Sequence, residues 1–298
     1  MNIFIQGMRR SGTTILFDLL CEDGNFDCYY EPLAAANKPA IGGGSGLRSI
    51  DYFDKIKSSR IAFASQYAIE CIDRLNYGAP YNAGLEFDTD LPEYCREYIK
   101  FITNQSENTV IKFTRMYCKI PILWEIDPTA KFIHAVRHPC SVTTSYLFGK
   151  NKKNKHKFTT TDAFFDRESK RLPWSSYHFS EYILNLPEYS HLITCKDFMR
   201  VLIVWKYNFT KTHDLGQYIF KDNYYLFRHE DLLANTQETI EALYQFLERP
   251  LPDNVLNWAK KVVDKSKSRY YEPGHLNWLK AIQYLDLTTQ LETAKYFL

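Results

Sequence analysis

Residues 2–20 read NIFIQGMRRSGTTILFDLL, and the reading of this stretch decides the fold class. NIFIQ (2–6) is a continuous apolar run of the length of a buried strand. From Thr13 to Cys21 the chain carries Ile15, Leu16, Leu19 and Leu20 on one side, so a helix follows. Between them the loop GMRRSGTT (7–14) holds two glycines, two arginines and three hydroxyls. A strand, a glycine-bearing turn and a helix, in that order, open a parallel α/β unit with the loop at the carboxyl end of the strand.

Further along, short buried strands are expected at 109–113 (TVIKF), 131–136 (KFIHAV) and 223–228 (NYYLFR). Helical patterns lie at 92–104, 141–149, 196–213 and 236–248. This alternation predicts an α/β fold, a central parallel sheet flanked by helices, in a single domain over 1–298. Three stretches interrupt it. AIGGGSGLRSID (40–51) has no strand before it and reads as a loop, KNKKNKHK (150–157) as a solvated lysine run, and the aromatic 161–190 as a lid or acceptor wall. Irregular acceptor-side insertions are therefore expected over 38–60 and 150–190.

The 298 residues can bury a sizeable core, and 45% hydrophobic with 24% charged residues is ordinary for a globular protein. An aromatic share of 16% suits either a ring-walled acceptor site or a ring-rich core. A net charge of +2 gives no global field for nucleic acid or an anionic membrane. The seven cysteines are scattered with no C-x-x-C, which predicts neither a disulfide framework nor a zinc site and points to a reducing compartment. With a strand beginning at residue 2 there is no room for a signal peptide, and no apolar run could span a membrane. A cytoplasmic protein with a small-molecule partner is the expectation.

The opening loop has the spacing of a triphosphate loop, G-x-x-x-x-G-K-[ST], but Thr13 stands where the lysine belongs. That lysine reaches the β- and γ-phosphates, so its absence argues against ATP or GTP as donor. An anion site remains. Backbone N–H groups at the helix start point outward, Gly12 allows close approach, Ser11, Thr13 and Thr14 carry hydroxyls, and Arg10 supplies a forked cation.

GMRRSGTT resembles the 5′-phosphosulfate loop, P-[KR]-S-G-T-T, of sulfotransferases that use 3′-phosphoadenosine 5′-phosphosulfate (PAPS). Arg10 stands at the basic position and Arg9 replaces the proline. The resemblance implies that Arg10, Ser11, Gly12, Thr13 and Thr14 hold the 5′-phosphosulfate, with Ile15 where many members stack a tryptophan on adenine. A second segment, AVRHPCSVTTSYL, resembles the family's 3′-phosphate motif R-[ND]-P-x-x-x-x-x-S: Arg137, Pro139 and Ser145 match, and His138 replaces Asn or Asp. YYLFRHEDLL (224–233) is similar to a third family segment, placing His229 at a tyrosine that touches adenine. SKSRYYEPGHLNW (266–278) loosely resembles the closing basic loop, which makes Lys267, Ser268 and Arg269 candidates.

Sulfuryl transfer needs a base for the acceptor proton and positive charge at the leaving oxygen. VIKFTRMY (110–117) keeps Lys112 but has Thr114 where many members carry a catalytic histidine. Another branch of the family uses a glutamate, and DCYYEPL supplies Glu31 before Pro32. On a strand beside the first, Glu31 would reach the carboxyl edge of the sheet. Glu31 is therefore the candidate base, with Lys112 and Arg10 stabilising the sulfuryl group and leaving phosphate, and Arg115 in reserve. His134, His138 and His275 are competing bases read as structural. The resemblance implies no metal. Rival readings are a kinase of related architecture, a nucleotide sensor without activity, or a sulfotransferase acting on carbohydrate or tyrosine.

Overall fold

The computed structural model describes residues 1–34, 49–67, 83–148, 161–167, 176–192, 195–263 and 274–296. Its five strands are β1 (Asn2–Gln6), β2 (Asp27–Tyr30), β3 (Thr109–Phe113), β4 (Lys131–Val136) and β5 (Tyr224–Arg228). They form one parallel sheet in the order β2-β3-β1-β4-β5. The helices described before β4 in the chain are α1 (Thr13–Glu22), α2 (Ser49–Gln66), α3 (Ala83–Phe87), α4 (Glu93–Thr103) and α5 (Ile120–Ile126). Those after β4 are α6 (Pro139–Phe148), α7 (Thr161–Phe165), α8 (Ser176–Leu184) and α9 (Asp197–Phe220). After β5 come α10 (His229–Ala234), α11 (Thr236–Phe246), α12 (Asp253–Val262), α13 (Leu276–Tyr284) and α14 (Thr288–Thr293).

Alternate strand residues point to opposite faces, and both faces are covered, which is why the strands read as unbroken apolar runs. Ile3 and Ile5, with Val110 and Ile133, pack on Leu16, Leu19 and Leu20 of α1 and Ile240 and Leu243 of α11. Phe4, Ile111, Phe113 and Phe132 meet the opposite layer, Ile99 and Ile102 of α4, Leu123 of α5 and Phe220 of α9. Helix α4 forms because Cys95, Tyr98, Ile99 and Ile102 recur on one face. Each such fully buried apolar side chain stabilises the fold by about 1.5–3 kcal/mol.

Three expectations change. β2 does not lie beside β1 but beyond β3, at the sheet edge; β3 fills the place next to β1, with Ile5 opposite Lys112. Its carboxyl end still reaches the same rim, because the ladder is parallel and in step, Tyr30 opposite Lys112. The described parts of the expected irregular insertions are helical, as α2, α7 and α8. In α2 the fully buried Arg60 donates to the carbonyls of Pro32 (3.1 Å from Nε) and Ala34 (2.6 Å), and Tyr52 donates to Asp18. Cysteine pairing is also present: Cys21 and Cys28 are disulfide-bonded. The end of α1 runs directly back into β2, bringing their Cα atoms to 6.1 Å. The glycine-rich stretch up to residue 48 and the lysine run 150–157 lie outside the described residues.

Helix α1 lies on one face of the sheet, whereas α9, which leads into β5, packs on the other through Phe220. The crevice between the carboxyl ends of β1 and β4 is thus a switch point, where open parallel sheets bind ligands.

Candidate active site

Both glycines of the opening loop are required by the packing. A Cβ on Gly7 would lie 2.2 Å from the carbonyl oxygen of Ala135, so β1 can leave the sheet beside β4 only without a side chain. Gly12, the N-cap of α1, has φ 85°, and a Cβ there would lie 2.5 Å from His229 Nδ1. The left-handed Gly12 lets α1 start abruptly and carries no side-chain cap, so the first N–H groups of α1 face the crevice. Arg10 is itself left-handed, φ 79°, a conformation that costs a non-glycine residue about 1–2 kcal/mol. Ser11 and Thr13 are buried, and Thr14 meets the Tyr30 hydroxyl at 3.2 Å.

The two motifs singled out in the sequence meet. Arg10 Nε donates to Ser145 Oγ at 2.8 Å, and an Arg137 guanidinium nitrogen reaches the Arg10 carbonyl at 3.5 Å. Trp205 Nε1 donates to the Arg137 carbonyl at 3.0 Å, fixing the turn after β4. Burial, with the neighbouring charges of Arg9 and Arg137, pulls the Arg10 guanidinium down to about 10. Three guanidinium groups thus share one small region, and an anion between them would relieve their repulsion. Such a cluster at an uncapped helix start fits a ligand carrying more than one anionic group. The residues present therefore fit a nucleotide with separate phosphate-type groups, as PAPS has.

Across the rim, Lys112 is almost wholly buried, and its ammonium donates to Glu31 Oε1 at 2.5 Å. The Thr114 hydroxyl donates to the same oxygen at 3.3 Å, and the Glu31 N–H donates to the Lys112 carbonyl at 2.9 Å. Burial alone would depress Lys112, but Glu31 and Tyr30 outweigh it and leave the ammonium raised; it sits 4.1 Å from the centre of the Tyr30 ring. Glu31 is left-handed, φ 45°, and the chain behind it is held by Arg60. Its side chain keeps about a quarter of its surface exposed.

The remaining sequence candidates divide. His229 packs on Gly12 at the loop, and Ile15 lies half-buried one turn into α1. Arg115 is drawn away, its guanidinium paired with the fully buried Glu86 of α3. Burial pushes His134 well below the ordinary histidine range, and its Nδ1 lies 3.0 Å from the Tyr224 hydroxyl. His138 Nδ1 accepts from the Cys140 N–H at 3.3 Å, and His275 caps α13 by accepting from the Asn277 N–H. Lys267, Ser268 and Arg269 lie outside the described residues. Sequence reasoning missed Tyr30, Trp205 and Arg60. Tyr30 adjoins Glu31 and could have been flagged; the other two carry no local signal. Among the described residues, no group of three or more His, Cys, Asp or Glu converges to hold a metal, and no helix is long and apolar enough to cross a membrane.

The model of the sulfotransferase family matches residues 2–176. No curated protein matches the chain. Solved sulfotransferase structures share its fold, among them the following three. The sulfotransferase domain of a Synechococcus olefin synthase is 16% identical with a TM-score of 0.53, the match covering 100% of this chain and 96% of that one. A Mycobacterium avium sulfotransferase is 13% identical, TM-score 0.52, over 100% and 77%. The sulfotransferase domain from the curacin biosynthetic pathway is 17% identical, TM-score 0.50, over 95% and 96%.

Proposed function

The chain belongs to the sulfotransferase family, and on that premise we propose that it moves a sulfuryl group from PAPS to a hydroxyl or amine of a small molecule. The observation that carries the donor assignment is the contact between Arg10 and Ser145, which joins two anion-binding motifs beside Arg137 with no lysine at position 13. Arg10 and the α1 N-terminus hold the 5′ group, and Arg137 and Ser145 the 3′-phosphate. His229, which packs on Gly12, and Ile15, one turn into α1, complete the nucleotide's surroundings.

Glu31 accepts the acceptor proton. The acceptor oxygen or nitrogen bonds to sulfur as the bond from sulfur to the bridging phosphate oxygen breaks, and 3′,5′-ADP leaves with the negative charge. Arg10 and Lys112 stand where that charge develops, so basic side chains do the work that a metal does in phosphoryl transfer. Lys112 also holds the Glu31 carboxylate aimed before the acceptor arrives. The matches to a synthase domain and a biosynthetic-pathway domain favour a natural-product alcohol as acceptor.

Calorimetry without metal tests the donor. The protein should bind 3′,5′-ADP at least about tenfold more tightly than ATP, and Arg137→Ala should remove that preference, since a charged phosphate contact is worth about 1.5–3 kcal/mol. Equal affinity for both nucleotides in the wild type would sink the assignment.

A further inference from the structure

Two turns flank the opening loop, one from each neighbouring strand. The turn after β4 brings Arg137 to the Arg10 carbonyl, and the turn after β5 lays His229 against Gly12. A single carboxylate joins these turns. Glu230, the residue after His229, accepts from the backbone N–H of His138, the residue after Arg137, at 3.0 Å through Oε1. Its other oxygen, Oε2, accepts from the Tyr296 hydroxyl at 2.7 Å.

Tyr296 is buried and held on every side. Its ring meets the His138 ring edge-on at 5.1 Å, and the Arg228 guanidinium lies 4.7 Å from its centre. Arg228 in turn donates to the Lys295 carbonyl at 2.8 Å and to the Asp231 carboxylate. The segment after α14 is thereby pinned across both turns. Burial and the charge of Glu230 keep the Tyr296 phenol protonated, and so a donor, across the working pH range.

We propose that Glu230, with Tyr296 as its anchor, is a positioning residue that sets the separation of Arg137 from His229 and so the enzyme's selectivity for nucleotides bearing a 3′-phosphate. Neither residue touches the crevice groups directly; both act one residue away, through the backbone. The proposal rests on the donor reading above, in which Arg137 meets the 3′-phosphate. A carboxylate is suited to the task because its two oxygens accept from two donors at once, one on each side of the joint. Loss of the tether leaves the His138 N–H without its acceptor and frees the turn that aims Arg137.

The test compares binding of 3′,5′-ADP and 5′-AMP by calorimetry, with the melting temperature of each variant. Glu230→Ala should weaken 3′,5′-ADP about tenfold, the effect of losing about 1.4 kcal/mol, and leave 5′-AMP within about twofold. Glu230→Gln, which keeps an oxygen for the His138 N–H and turns its amide to the phenol oxygen, should restore most of the 3′,5′-ADP affinity. Tyr296→Phe should weaken 3′,5′-ADP by about threefold, again sparing 5′-AMP. Equal losses for both nucleotides, or no loss in Glu230→Ala, overturn the proposal while the donor reading stands. A wild type that does not distinguish 3′,5′-ADP from 5′-AMP overturns both. Should Glu230→Ala fail to fold, the nucleotide ratio in Tyr296→Phe decides, and an unchanged ratio overturns the proposal.

Discussion

Lys112 of β3 and Glu31, the residue after β2, form an ion pair at the rim of the sheet, with the lysine 1% exposed and the glutamate side chain 25% exposed. An ammonium so deeply buried is tolerated only because its partner is present, so the two residues are one unit for stability as well as for chemistry.

Removing the charge from one partner strands the other. Glu31→Gln should lower the unfolding free energy by about 2 kcal/mol, below the range for a fully buried pair because Glu31 is partly wet. The double variant Glu31→Gln/Lys112→Met should recover most of that loss, read from urea unfolding. Sulfuryl transfer should vanish in Glu31→Gln while 3′,5′-ADP affinity stays within about twofold, because the base is not a donor contact. Retained turnover would move the base to another residue.

The glycines differ in severity. Gly12→Ala should cost about 2 kcal/mol, from a left-handed backbone and a Cβ pressed on a movable His229 ring. Gly7→Ala has backbone in its way, the Ala135 carbonyl, and should prevent soluble expression. A Gly7→Ala protein with a wild-type melting temperature would contradict the packing described for β1 and β4.

Acid should destabilise the fold through buried histidines. Burial, aided by Arg137 and Arg228, pulls His138 down to about 4, so it stays neutral in the fold while the unfolded chain takes up a proton near pH 6.5. The unfolded state therefore binds more protons between those values. Stability is full above pH 6.5 and falls as pH drops towards 4, by up to about 3 kcal/mol from this group. His134 is shifted the same way and adds to the slope. Urea unfolding across pH 4–7 should show a shallower slope for His138→Asn, and an unchanged slope would assign the effect elsewhere.

The Cys21–Cys28 bond closes a short loop between α1 and β2. Reducing it should lower stability by about 2 kcal/mol through loop-closure entropy. The melting temperature of the wild type should fall with dithiothreitol, whereas the Cys21→Ser/Cys28→Ser protein should ignore it. Two free thiols at these positions in the non-reduced protein, counted by alkylation and mass, would show that the bond does not form.

Local pattern determined much of this molecule. NIFIQ, TVIKF and KFIHAV announce buried parallel strands because both their faces are covered, so no polar alternation interrupts them. The helix after Gly12 was equally legible, and the opening loop offered Arg10 as an anion-binding candidate, whereas Arg137 and Ser145 became candidates only through resemblance to a family motif. Tertiary structure decided the rest. DCYY is too short and too mixed to declare its neighbour, and only the crossover of the chain puts β2 outside β3 rather than against β1. That Arg10 touches Ser145, that Lys112 is the partner of Glu31, and that Glu230 ties His138 to Tyr296 are contacts across 135, 81, 92 and 66 residues of chain. Local propensity carries no information about such separations; they exist because a parallel sheet delivers every strand's carboxyl end to one rim.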